Sequence, residues 1–155
     1  MVMKLGKLEQ ITDLRSIWKH EANDFTPWLA KEENLAALSD AIGIELVLEE
    51  QESNVGDFSV DLFATEEGTG RKVVIENQLE ETNHDHLGKI ITYASGKDAE
   101  VIIWIVRKAR DEHKKAIEWL NQHTDDSSAF FLIEIEVWKI ACQFQQIDIT
   151  GTESQ

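Results

Sequence analysis

Positive charge is what this chain has least of. Its 15 lysines and arginines face 30 aspartates and glutamates, for a formal net charge of −15. A surface of that sign repels phosphates and weighs against any partner held mainly by lysine and arginine. Cysteine is almost missing. The single Cys142 cannot close an internal disulfide, and it lies in an apolar segment with no base beside it. It reads as a core filler rather than a nucleophile, in a protein of a reducing compartment, the cytoplasm. No apolar run reaches the roughly 18 residues of a membrane-spanning helix, so no membrane is expected as a partner. The opening residues, Met1 to Gly6, lack the apolar stretch of a secretory leader. There is also no glycine-rich phosphate loop, no Ser-His-Asp order and no dinucleotide fingerprint.

What remains is ordinary globular material, with 42% apolar and 29% charged residues. At 155 residues the chain is expected to be one domain over 1–155, with a polar tail from about Thr150. Residues 8–11 read as a short strand or a loop. Thr12 or Asp13 caps a short helix carrying Leu14, Ile17 and Trp18. Thr26 as N-cap and Pro27 at the first helical position open a helix that ends near Gly43. Three strands follow, at 44–49, 57–65 and 71–78, joined by turns at 53–56 and 67–70 that contain glycine. A helix over about 85–95, capped by Thr82 or Asn83, ends at Gly96. Val101 to Val106 is apolar throughout, as in a strand covered on both faces. A helix at 111–123, with Ile117, Trp119 and Leu120 inward, and a strand at 130–140 complete an α/β pattern of a mixed sheet with helices. The five tryptophans mostly fall at apolar positions and read as core.

Two carboxylates stand out. Asp61 sits inside an otherwise apolar strand, where an unpaired charge is costly to bury. Glu76 ends the run Val73-Val74-Ile75 on the next strand, and Gln78 follows on the same face. Paired as a hairpin, the two strands bring Asp61, Glu76 and Gln78 onto one surface. Close carboxylates repel unless they share a proton or a cation, and hard oxygen donors suit Mg²⁺ or Mn²⁺.

Gly56-Asp57-Phe58-Ser59-Val60-Asp61, then Val74-Ile75-Glu76-Asn77-Gln78, then a helix, resemble the PD-(D/E)XK, or restriction-endonuclease-like, nucleases. The stretch from Glu76 to Gly88, continuing to Thr92-Tyr93-Ala94, is similar to a branch of that superfamily with an E-x-Q form of the motif. Trp28-Leu29 and Glu33-Asn34 match the same branch, and the likeness covers about residues 5–140. It implies a three-layer restriction-endonuclease-like fold, a central mixed β-sheet flanked by helices. It implies Asp61 and Glu76 as metal ligands, the Asn77 backbone carbonyl as a third, and Glu33 as an accessory acid. Gln78 stands where the superfamily's lysine handles water, and glutamine has neither its charge nor any basicity. Lys89, about one turn beyond His86, is the candidate to send an ammonium into the site instead.

His84-Asp85-His86 offers ligands at i, i+2, which do not share a helix face, and no spaced cysteines complete a zinc site. Both histidines read as helix-cap or surface residues, with His86 the one to bond near the site or meet a phosphate. Arg107, Lys108, Arg110, Lys114 and Lys115 fall within nine residues. They read as a solvated helix start or as a nucleic-acid track. Three functions fit these residues. One is a metal-dependent nuclease hydrolysing phosphodiester bonds, on DNA ahead of RNA. Another is a non-catalytic binding module on the same fold, in a defence or DNA-processing system. The third is an acidic interaction protein, which predicts no convergence of Asp61 and Glu76. The resemblance adds a homodimer, and a partner domain or protein, to the expectations.

Overall fold

The computed structural model describes residue 3 and residues 5–142, and Thr150 and the polar tail lie outside them. Its centre is the apolar run singled out above. Strand β5 (Val101–Lys108) is buried from Val101 to Val106 and pairs in parallel with β4 (Lys72–Glu81) and β6 (Ala129–Glu134). Strands β2 (Leu46–Val55), β3 (Phe58–Glu66) and β4 form an antiparallel meander, and the sheet order is β2-β3-β4-β5-β6. Parallel pairing needs crossovers, and α3 (His84–Lys97) and α4 (Asp111–His123) supply them.

These two helices cover one face, where Ile90, Ala94 and Ile117 pack on Ile102, Trp104 and Val106. The other face carries α1 (Thr26–Ala30) and α2 (Glu32–Ile42), whose Leu29, Leu35 and Leu38 meet Leu62, Ala64, Val73, Ile75 and Ile103. The result is the expected α/β fold, with a mixed five-stranded sheet between layers of helices. Outside it, β1 (Gly6–Ile11) and β7 (Val137–Cys142) form a separate antiparallel ribbon.

Several boundaries differ from the sequence reading. The helix expected over 26–43 is broken at Lys31, whose backbone is extended (φ −63°, ψ 141°). In one continuous helix Leu29 and Leu35 would point roughly 120° apart, at about 100° per residue. The break lets both enter the same core, and the Asn34 side chain donates to the Trp28 carbonyl, 2.7 Å. Thr26 is not a cap: a short wide helical turn, Glu21–Phe25, runs straight into α1. Gly96 does not end α3 either; the helix runs on to Lys97 and Asp98 takes the left-handed conformation (φ 54°). Gly96 instead lets the helix approach Val55 of β2, where any Cβ would clash. The final strand divides at Ile135–Glu136, sending β6 to the main sheet and β7 to the ribbon. Trp119, expected inward, is exposed and stacked on His123, and Trp138 is half-exposed. Among the described residues, no helix is long and apolar enough to cross a membrane.

Candidate functional site

The β3–β4 register pairs Leu62 with Ile75, and its extension sets Asp61 across from Glu76 on the face toward α3. Asp61 Oδ2 accepts the Asn77 backbone N–H, 2.8 Å. A side chain therefore takes a bond that the strand ladder would otherwise make. Glu76 is 5% exposed, and its Oε1 is buried without a hydrogen-bond partner. Burial pushes the Glu76 carboxyl up to about 10, and a hydrogen bond and charge from Asp61 push the same way. Lys89 opposes them, and Glu52 adds to them. An acid in that position holds a proton at neutral pH or exchanges it for a cation.

The donor set fits such a cation. Two carboxylates, one with an orphaned buried oxygen, suit a hard divalent ion that keeps several waters. It is a sparse set: among the described residues no group of three or more histidine, cysteine, aspartate or glutamate side chains is placed to hold a metal.

Lys89 of α3 acts on Glu76 through its charge, while its ammonium pairs with Asp85 at 3.2 Å. His86 lies beside it, half-buried. Its pKa is lowered by burial and by Lys89, while Glu21, Asp85 and Asp61 act in the opposite sense. Its backbone N–H is capped by the Asn83 side chain, 2.8 Å, which selects Asn83 over Thr82 as the N-cap of α3.

Gln78 occupies the face expected of it but is 1% exposed, and both ends of its amide are engaged. Nε2 donates to the Glu81 carbonyl at 2.8 Å, and Oε1 accepts from the Trp104 indole at 3.2 Å. The Asn77 side chain points to the opposite layer, where Nδ2 donates to Thr26 Oγ1, 2.9 Å, tying β4 to the first helix.

Glu33 is exposed in the first turn of α2, the layer across the sheet from α3, and is not among the groups that perturb Glu76. Two further acids were not anticipated, Glu52 acting on Glu76 and Glu21 acting on His86. Glu21, in the wide turn before α1, accepts the Leu79 backbone N–H at 3.2 Å and is held by Arg15 Nη2 at 2.6 Å. Glu52 of β2 has a positive φ of 50° and lies past the register shift that the β2–β3 ladder makes between Leu48 and Glu50. It accepts from Ser59 Oγ, 3.1 Å, and burial and Asp61 raise its pKa. Neither residue has a sequence signal, because a positive-φ position and a wide turn carry them.

The basic cluster lies elsewhere. Arg107 and Lys108 line a cleft with Glu134 and Glu136 near β1. Arg110 stands 3.6 Å from both Glu81 and Glu112. His84 and His113, far apart in sequence, share a 2.9 Å hydrogen bond, and His113 Nδ1 lies 2.8 Å from Thr82 Oγ1.

The sheet order and its two helical layers define a three-layer α/β fold with acids on its central hairpin. A repair endonuclease from Pyrococcus abyssi has a similar structure at 14% identity and a TM-score of 0.51, over 68% of this chain and 46% of that one. An EndoMS–dsDNA complex aligns at 16% identity and a TM-score of 0.47, over 67% of this chain and 44% of that one. The chain thus spans less than half the length of either structure. No protein-family description and no curated protein matches the sequence.

Proposed function

We propose that this chain is a metal-dependent nuclease-type domain that hydrolyses phosphodiester bonds of nucleic acid, DNA ahead of RNA, with Asp61 and Glu76 holding Mg²⁺ or Mn²⁺. The observation that carries this is the buried, unpartnered Oε1 of Glu76 beside Asp61, on the central hairpin of a nuclease-like fold. A bound divalent ion would lower the pKa of its water and offset charge on the phosphate. Asp61, held by the Asn77 N–H, keeps one oxygen directed as a ligand while Glu76 exchanges its proton. Lys89 stands where an ammonium meets a phosphate oxygen, and His86 beside it is suited to the same anion. Gln78 acts from behind: locked between Trp104 and Glu81, it fixes the strand end that carries Glu76. A homodimer and a further domain or partner protein belong to the same proposal.

A second reading, a binding module without catalysis, is favoured by one feature. The motif's lysine position holds a glutamine with a fully engaged amide, and Lys89 is paired with Asp85.

Labelled single- and double-stranded DNA and RNA, incubated with the protein in Mg²⁺ or Mn²⁺, decide between the two. Cleavage that falls at least a hundredfold in Glu76→Ala is the expected result. A cation-dependent rise in melting temperature without cleavage selects the binding module. The absence of both cleavage and any cation effect would overturn the metal site and with it the first reading.

A further inference from the structure

Next to Lys89 lies an aromatic cavity, open to solvent, whose rings the proposed hydrolysis does not use. Phe58, at the start of β3, is 62% exposed and leaves an aromatic face open to solvent. Its ring centroid lies 6.4 Å from that of Tyr93, with the planes 35° apart. Tyr93 is fixed on α3 by packing against Val60 and Val74. With His84, Asp85, Gly88, Lys89 and Thr92 the two rings line a cavity of about 410 Å³. That is at the small end of ligand pockets, which run from about 300 to 1,000 Å³. The cavity adjoins the acids: the Tyr93 hydroxyl is raised by burial and by the charge of Glu76, with Lys89 opposing.

Gly88 sharpens the case. A glycine inside a helix costs about 1 kcal/mol relative to alanine. Here neither backbone strain nor crowding requires it, since a Cβ at Gly88 would meet nothing within 4 Å. Gly88 lines the cavity, so a larger side chain there would take up part of its space.

We propose that this cavity is a base-binding subsite, in which an unpaired nucleobase stacks on Phe58 beside Tyr93 while its strand passes Lys89 toward Asp61 and Glu76. The inference rests on the nucleic-acid reading above and names the form of the substrate. It also meets the charge problem, because a chain of net charge −15 gains little from counterion release. Stacking on an aromatic face is independent of that term and tolerates any base. The unpaired base has two sources, a single strand or a base extruded from a duplex.

The test is fluorescence anisotropy of the full chain in EDTA, so that no cleavage occurs, with four labelled oligodeoxynucleotides. These are a single strand, a fully paired duplex, a duplex with one unpaired base, and a single strand of abasic residues. The single strand should bind at least about tenfold more tightly than the paired duplex and the abasic strand. Strong binding of the bulged duplex identifies extrusion as a second source. Phe58→Ala should weaken single-strand binding about tenfold or more, Phe58→Trp should restore it, and Gly88→Leu should block it. Phe58 is exposed, so its variants should melt as the wild type does. Equal binding by wild type and Phe58→Ala, or no preference over the abasic strand, would overturn the subsite and leave hydrolysis standing. Phe58-dependent binding without any metal-dependent cleavage would sink hydrolysis and keep the subsite. A wild type that binds none of the four strands overturns the subsite, and hydrolysis is then judged by the cleavage assay in Mg²⁺ or Mn²⁺ alone.

Discussion

Glu76 shows how one side chain shapes both stability and chemistry. The folded protein keeps this carboxyl protonated up to about 10, whereas the unfolded chain releases the proton near the ordinary value of 4.5. The folded pKa is therefore raised. The stability tied to it is fully present below about 4.5 and is lost progressively as pH rises toward 10. Glu76→Gln, neutral in both states, escapes this loss. Its melting temperature should match that of wild type near pH 5 and exceed it clearly near pH 9, in divalent-free buffer. A constant difference across that window would mean that Glu76 is already ionised in the fold. The gain in stability would come with loss of the site, as expected where a buried acid serves function.

Helix α3 offers a controlled comparison between two glycines. Both Gly88 and Gly96 lie within it, and alanine at either gains the same helix propensity, about 1 kcal/mol. Only at Gly96 does the new methyl meet Val55, a stiff β-branched side chain on β2. Gly88→Ala should stabilise by about 0.5–1 kcal/mol, and Gly96→Ala should fall below it by about 1–3 kcal/mol. Urea titration of the two variants measures the gap, and equal midpoints would mean that Val55 moves aside freely. The same contact holds α3 against the meander strands, and so holds Lys89 and Tyr93 over the hairpin that bears Asp61 and Glu76.

Taken together, the molecule is a layered sheet that carries an excess of negative charge. Its few cations are gathered locally: Arg15 bridges Glu21 and Glu80, Arg71 binds Glu66, and Arg110 lies between Glu81 and Glu112. The remaining acids repel one another across the surface, which strains the compact state. Monovalent salt screens this repulsion, since the Debye length falls from about 30 Å at 0.01 M to about 8 Å at 0.15 M. The melting temperature should therefore rise over that range of NaCl, without divalent ions. A fall would indicate that the local ion pairs outweigh the general repulsion.

Alternation of period two and one continuous apolar run make the sheet legible in the amino-acid sequence by itself. Val101 to Val106 has the pattern of a strand covered on both faces, and the alternation around Asp61 and Glu76 put two acids on one face once their strands paired as a hairpin. Local chemistry set those features, because strand pleat and turn glycines act over a few residues. Contacts between distant segments decided the rest. The break at Lys31 depends on where Leu29 and Leu35 must pack, and Thr26 is a tether because Asn77 lies across from it. Glu52 acts on Glu76 from a positive-φ position, and Glu21 acts on His86 from a wide turn, neither of which has a short-range signature. The face that Gln78 occupies was legible, but its partners Trp104 and Glu81, which engage both ends of its amide, were not. Sequence spacing shows which face a side chain occupies, whereas its hydrogen-bond partners come from the strands and helices that fold against it.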